Sequence, residues 1–146
     1  MKSLKKFLES KKFTPISLVL TKTNHFEVCA KINGVSGRFI LDTGASNTCI
    51  GVDKIEFFKL ISEESDIKAA GAGATEMETL VSNQNKVQLG NWKKGKQKIV
   101  LFDLVHVNEA LAAHKALPVD GIIGADILKK GKAVIDYNKK RLYLKK

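Results

Sequence analysis

The sequence predicts a mainly β domain, a closed or nearly closed barrel carrying small helices, and three observations lead there. About nine short runs rich in β-branched residues are punctuated by turn signals such as Asn33-Gly34. Helical periodicity is confined to a few short stretches. At 146 residues, with 44% of them hydrophobic, the chain has the size of one globular domain that folds without a disulfide framework or a structural metal.

The elements follow in order. Leu4, Phe7 and Leu8 recur at helical spacing among lysines, so residues 1–14 read as a basic amphipathic extension and residues 15–146 as the domain. After Pro15 the pattern changes to strands at 16–21, 26–32 and 37–41, joined by Thr23-Asn24-His25 and by the hairpin dipeptide Asn33-Gly34. Ile55, Phe58 and Ile61 are spaced for a short helix or a loop. Residues 67–89 read as two extended segments of a long hairpin, with glycines at Gly71 and Gly73 and a turn at Ser82-Asn83-Gln84-Asn85. A lysine-rich turn at 91–95 leads into a strand at 98–107. A helix at 108–115 follows, with Asn108 as its N-cap and Pro118 beyond its end. Residues 119–123 form a strand, 125–130 a turn or two of helix, and 133–137 with 141–144 a final hairpin.

The net charge of +10 sits in residues 1–12, 93–98 and 129–146, and the remainder is net negative. This reads as solvated termini and one solvated turn. Aromatics hardly interleave with the lysines, so no nucleic-acid partner is expected. No apolar run approaches the roughly 18 residues of a membrane span, residues 1–12 lack the apolar stretch of a secretory leader, and three apolar side chains give a short helix little insertion energy. A soluble, cytoplasmic protein with no stable membrane insertion is expected. Cys29 and Cys49 fit a reducing compartment, or at most one pair in an oxidising one. With His25, His106 and His114 they show no metal-ligand spacing, so neither metal nor cofactor is expected. Gly71-Ala72-Gly73 begins a dinucleotide fingerprint, but Glu76 stands where the third glycine would be, and no serine lies in a Gly-x-Ser-x-Gly elbow. Trp92 reads as a partly buried anchor at a turn.

The strongest local signal is Phe39-Ile40-Leu41-Asp42-Thr43-Gly44-Ala45-Ser46, three apolar residues running into an acid at a strand end. A carboxylate delivered from a buried strand is costly to ionise unless hydrogen bonds stabilise it, a tension that acid–base sites exploit. Asp and Gly are also ordinary turn residues, but Asp-Thr-Gly followed by two of Ala or Ser arises by chance in roughly one chain in a thousand of this length. About 80 residues later comes Val119-Asp120-Gly121-Ile122-Ile123-Gly124-Ala125-Asp126, and between the two lies Ala70-Gly71-Ala72-Gly73-Ala74-Thr75.

These three motifs, in this order and spacing, resemble those of retropepsin-like aspartic proteases, over roughly residues 15–146. The resemblance implies a closed acid-protease barrel with one lobe per chain. It makes Asp42, Thr43 and Gly44 the catalytic motif, with Thr43 bracing the site across a dimer axis and Gly44 donating a backbone N–H. Gly71, Ala72, Gly73 and Ala74 would form a flap over a polypeptide substrate. Ala45 and Ser46 would support the loop, and Ile122, Ile123 and Gly124 would pack behind it. Ile50, Leu80 and Val81 are candidates for apolar specificity pockets. Peptide hydrolysis of this kind needs two carboxylates about 3 Å apart that share one proton. The chain offers one Asp-Thr-Gly, and Asp120 precedes its strand instead of ending it, so the second carboxylate would come from a partner chain in a two-fold homodimer. By analogy with viral members the last strand, residues 141–144, would lie in that interface, with like charges facing each other. The alanines in the flap, Ala125 where viral enzymes often carry a basic residue, and the 108–115 insertion point to a cellular, bacterial member. The alternatives are a catalytically silent domain of the same fold that binds peptides or dimerises and, further off, a basic nucleic-acid module.

Overall fold

A computed structural model describes residues 3–71 and 74–146, with side chains outside 65–78. In chain order the elements are α1 (Leu4–Ser10), β1 (Phe13–Ser17), β2 (Val19–Leu20), β3 (Phe26–Ile32), β4 (Val35–Leu41) and β5 (Cys49–Gly51). After a 3-10 turn at Val52–Lys54 come β6 (Glu63–Gly71), β7 (Ala74–Leu89), β8 (Trp92–Phe102), α2 (Val105–Ala113), β9 (Gly121–Ile123), α3 (Ala125–Lys130), β10 (Val134–Asp136) and β11 (Arg141–Lys145).

The protein is mainly β. Strands β3, β4, β9, β5, β8 and β7 follow one another around a sheet, and β3 also pairs with β7 through Lys31↔Gln88 and Ile32↔Val87. Six strands therefore close into a barrel, with β2 and β6 outside the ring. A separate sheet has the order β1-β11-β10.

Alternation along the ring strands sends side chains into two cores. Phe39, Leu41, Ile99, Leu101 and Ile123 join Ile50, Phe58 and Trp92 in the larger one. Ile40, Val100, Phe102 and Ile122 point the other way, into a smaller core completed by Leu104 and Leu111 from the α2 region. A sheet buried on both faces needs continuous apolar runs, and Phe39-Ile40-Leu41 is one. Close packing at β9 demands glycine: a Cβ on Gly121 would lie 2.1 Å from the Cys49 carbonyl oxygen.

Three sequence expectations change here. The polar stretch 82–85 is a bulge inside β7 and not a turn. Ser82 and Asn85 are buried, the Asn85 Nδ2 donates to Ser82 O and Oγ at 3.0 Å and to Gln97 O at 3.3 Å, and Gln84 takes a positive φ of 64°. The α2 helix begins three residues before Asn108, whose side chain instead bonds Val119 through its N–H (2.8 Å) and carbonyl (3.3 Å). Trp92 is buried, its Nε1 donating to Lys145 O at 3.2 Å. Finally, β11 is the central strand of its sheet, paired with β1 along one edge and with β10 along residues 141–143 of the other.

Candidate active site

The site is built where two strands end side by side. β4 runs parallel to β9 in the register Phe39↔Gly121, Ile40↔Ile122, Leu41↔Ile123. Their ends deliver Asp42 from one and Gly124 from the other to the same rim. The Asp42 N–H donates to Ile123 O at 3.0 Å, which continues the ladder into the loop. The loop then turns tightly: the Ala45 N–H donates to Asp42 O at 3.2 Å, and the Gly44 N–H donates to Asp42 Oδ1 at 2.8 Å. Asp42 is half-buried, and Thr43 and Gly44 are exposed. A Cβ on Gly44 would sit 3.2 Å from that same carboxylate oxygen, so a larger residue would crowd it.

Beneath the loop lies a set of polar bonds that the sequence reading did not single out. Thr48, fully buried, donates both its N–H (2.9 Å) and its hydroxyl (2.8 Å) to Asp126 Oδ1. Its hydroxyl oxygen accepts from the Gly124 N–H at 3.0 Å. The Ala125 N–H reaches across to Ala45 O at 2.7 Å, and a Cβ on Gly124 would lie 2.8 Å from that oxygen. The loop from 42 to 48 is thus stitched to 123–126 from both sides. Ser46 is exposed, and the buried hydroxyl that supports the loop belongs to Thr48. A hydroxyl six residues after the acid and a carboxylate two after Gly124 were the available signals, but nothing local links positions 78 residues apart.

The two carboxylates flanking β9 are engaged elsewhere. Asp120 Oδ2 accepts the Arg38 N–H at 2.9 Å, and its Oδ1 lies 3.7 Å from Lys54 Nζ. Since β9 starts after Asp120 and ends before Gly124, Asp120 and Asp42 lie at opposite ends of the paired strands. Asp126 Oδ1 also accepts the Ile127 N–H at 2.8 Å. Cys49 is buried close by. Burial first, then the charges of Asp126 and Asp42, push its thiol up from 9.0 to about 12, against a backbone hydrogen bond from Ile122.

Ile122 and Ile123 are buried in the smaller and larger cores behind the loop. Gly71 and Ala74 face each other across β6 and β7, and Ala72 and Gly73 lie outside the described residues. Ile50 is fully enclosed in the larger core, Leu80 packs against that core, and Val81 is buried. A groove of about 490 Å³ adjoins the site, lined by Thr43, Ala125, Leu128, Lys129, Lys132, Ala133 and Ile135. Among the described residues no three His, Cys, Asp or Glu side chains come together to hold a metal.

Residues 28–127 match the family model of aspartyl proteases. No curated protein sequence matches the chain. Solved structures resemble it at low identity, a likeness of fold. The EIAV protease complexed with the inhibitor HBY-793 has a TM-score of 0.59 and 18% identity, over 81% of this chain and 98% of that one. A retropepsin-like aspartic protease from Rickettsia conorii has 0.59 and 20%, over 90% of each. The retroviral protease-like domain of Ddi1 from Leishmania major has 0.55 and 19%, over 81% and 86%.

Proposed function

Since this chain belongs to the aspartyl protease family, we propose that it is an endopeptidase working as a homodimer, in which Asp42 of one protomer meets Asp42 of its partner. The observation that carries this reading is the Asp42 loop itself. One carboxylate is held at an exposed rim by the Gly44 N–H, and its loop is braced by Thr48 and Asp126. Asp120 and Asp126 are committed to structural bonds, so a second reacting carboxylate comes from another copy.

Two such groups close together share one proton. The ionised member takes a proton from water as it attacks the peptide carbonyl, while the protonated member donates to the carbonyl oxygen. The tetrahedral intermediate collapses when the departing amine is protonated, and the dyad returns to its shared-proton state. Thr43, exposed beside Asp42, braces one loop against the other, and Gly44 keeps its N–H on the carboxylate. Ala45, Ile122, Ile123 and Gly124 hold the loop from behind. The hairpin bearing Gly71, Ala72, Gly73 and Ala74 closes over the polypeptide and excludes water. Activity is highest on the acid side of neutrality, where the dyad keeps its single proton.

The edges of the small sheet support the two-fold arrangement. β11 is flanked on both sides, and the outer edge of β1 contains Pro15, which has no N–H to offer. The outer edge of β10 is unpaired among the described residues, and the groove from Ala133 and Ile135 leads from it to Thr43. Antiparallel pairing of β10 with its symmetry mate would join the two sheets and bring the two Asp42 loops toward one axis.

Mass spectrometry of a complex peptide library incubated between about pH 4 and 7 tests the reading. The wild type is expected to cleave, and Asp42→Asn to lose about two to four orders of magnitude in rate while still dimerising. Cleavage retained in Asp42→Asn would overturn the mechanism, and a folded dimer that never cleaves would make the protein a binding domain.

A further inference from the structure

Parts of the three basic segments expected from the sequence to be separate and solvated meet at one end of the molecule as four lysine-rich stretches. Lys146 donates its N–H to Lys12 O at 3.0 Å, and Lys145 donates its N–H to Gly131 O at 2.7 Å. The Lys145 carbonyl accepts from Trp92 Nε1, next to Lys93, and Lys130 Nζ bonds Gln97 Oε1. These contacts gather the end of α1, the start of β8, the end of α3 and the end of β11. Residues 4–12, 93–98, 129–132 and 145–146 contain thirteen lysines and a single acid, Glu9, whereas the whole chain carries +10. All of the positive excess is therefore in this pole. Lys11, Lys12, Lys93, Lys94, Lys145 and Lys146 are all exposed.

Like charges brought together repel, and a polyanionic partner offsets that cost. The margin of the pole distinguishes between partners. On α1 only Leu8 is buried, while Leu4 and Phe7 remain 45% and 47% exposed. Lys11 Nζ lies 5.9 Å from the Phe7 ring centre, so apolar and cationic groups share one surface. A nucleic-acid surface would offer several ring faces for stacking. Here Trp92 and Tyr143 are buried, and Phe7 is the one aromatic within the four stretches. Lysines around half-exposed aliphatic and aromatic side chains match a charged bilayer interface, with headgroup phosphates for the ammonium groups and the acyl boundary for Leu4 and Phe7. Among the described residues no helix is long and apolar enough to cross a membrane, so the contact is with a surface.

We propose that this basic pole, with Leu4 and Phe7 at its margin, docks the protein on the surface of an anionic lipid bilayer. The assignment is independent of peptide cleavage. Co-sedimentation with phosphatidylcholine vesicles, with and without phosphatidylserine, tests it at low and raised salt. Binding is expected only with phosphatidylserine, and weaker as salt rises. Lys93→Gln/Lys94→Gln should lower the affinity about thirtyfold, since each lysine near such a surface contributes about a factor of five. Leu4→Ser/Phe7→Ser should lower it too while leaving the salt dependence as steep. Both pairs are surface changes whose folding can be checked by thermal melting. Equal binding to both vesicle types, no binding to either, or no effect of the lysine pair would overturn the proposal. Displacement from phosphatidylserine vesicles by single-stranded RNA would overturn it in favour of a nucleic-acid surface.

Discussion

Thr48 makes three hydrogen bonds with no exposed surface, two to Asp126 and one from Gly124, and on that geometry rests the position of an acid six residues away. Thr48→Val keeps the shape but leaves the Gly124 N–H without an acceptor and removes one donor from Asp126. It should cost about 2–3 kcal/mol in denaturant unfolding. Asp126→Asn retains an acceptor for the Thr48 N–H and should cost less, so comparing the two variants separates the hydroxyl's share from the charge's. Cys49 sits under the same loop with its thiol raised to about 12 by burial and by Asp126 and Asp42. The folded state thus holds this proton more tightly than the unfolded chain does. That stabilisation is complete below the unfolded thiol's pKa and is lost as pH climbs from 9.0 toward 12. Thiol titration at neutral pH should find one reactive cysteine, the exposed Cys29, in the native protein and two after denaturation.

Among the elements, β7 owes its continuity to the Asn85 bulge. The Asn85 side chain donates to Ser82 and Gln97, and its Oδ1 accepts from Asn33 Nδ2 at 2.9 Å, tying β3 to the strand that closes the barrel. Asn85→Ala strands several buried partners and should lower stability by about 2–4 kcal/mol in equilibrium unfolding. The same residue marks where sequence reading stops. Ser82-Asn83-Gln84-Asn85 has turn composition, and only a neighbour such as Gln97 reveals that two of its polar groups are satisfied inside a strand. Asn108 misleads for the same reason: it has the chemistry of a cap but spends its amide on Val119, and the Val105 N–H that opens α2 is met by Asp103 Oδ1 at 2.9 Å. Legible elements carry their reason locally, as Phe39-Ile40-Leu41 and the Asn33-Gly34 turn do. In the site, Asp42, Thr43 and Gly44 could be read because their turn is contiguous, whereas the Thr48–Asp126 pair is assembled only by β5 lying beside β9.

For the whole molecule, the proposed completion of the site by a second copy makes activity a function of concentration. Specific activity should fall steeply on dilution below the dimer dissociation constant, and sedimentation velocity over the same range should show dimer giving way to monomer. Activity proportional to enzyme concentration through the monomeric range would show that a single chain suffices. The division between ring and small sheet also has a consequence in time. Every strand of the ring lies within residues 1–123, and β10 and β11 come afterwards. Chains emerge from synthesis N-terminus first and fold as units become available. Leu142 and Leu144 of β11 belong to the larger barrel core, so that core is incomplete, and the β10 edge absent, until the last strand arrives. In the proposed dimer, the two Asp42 loops thus meet only after the final hairpin has been made.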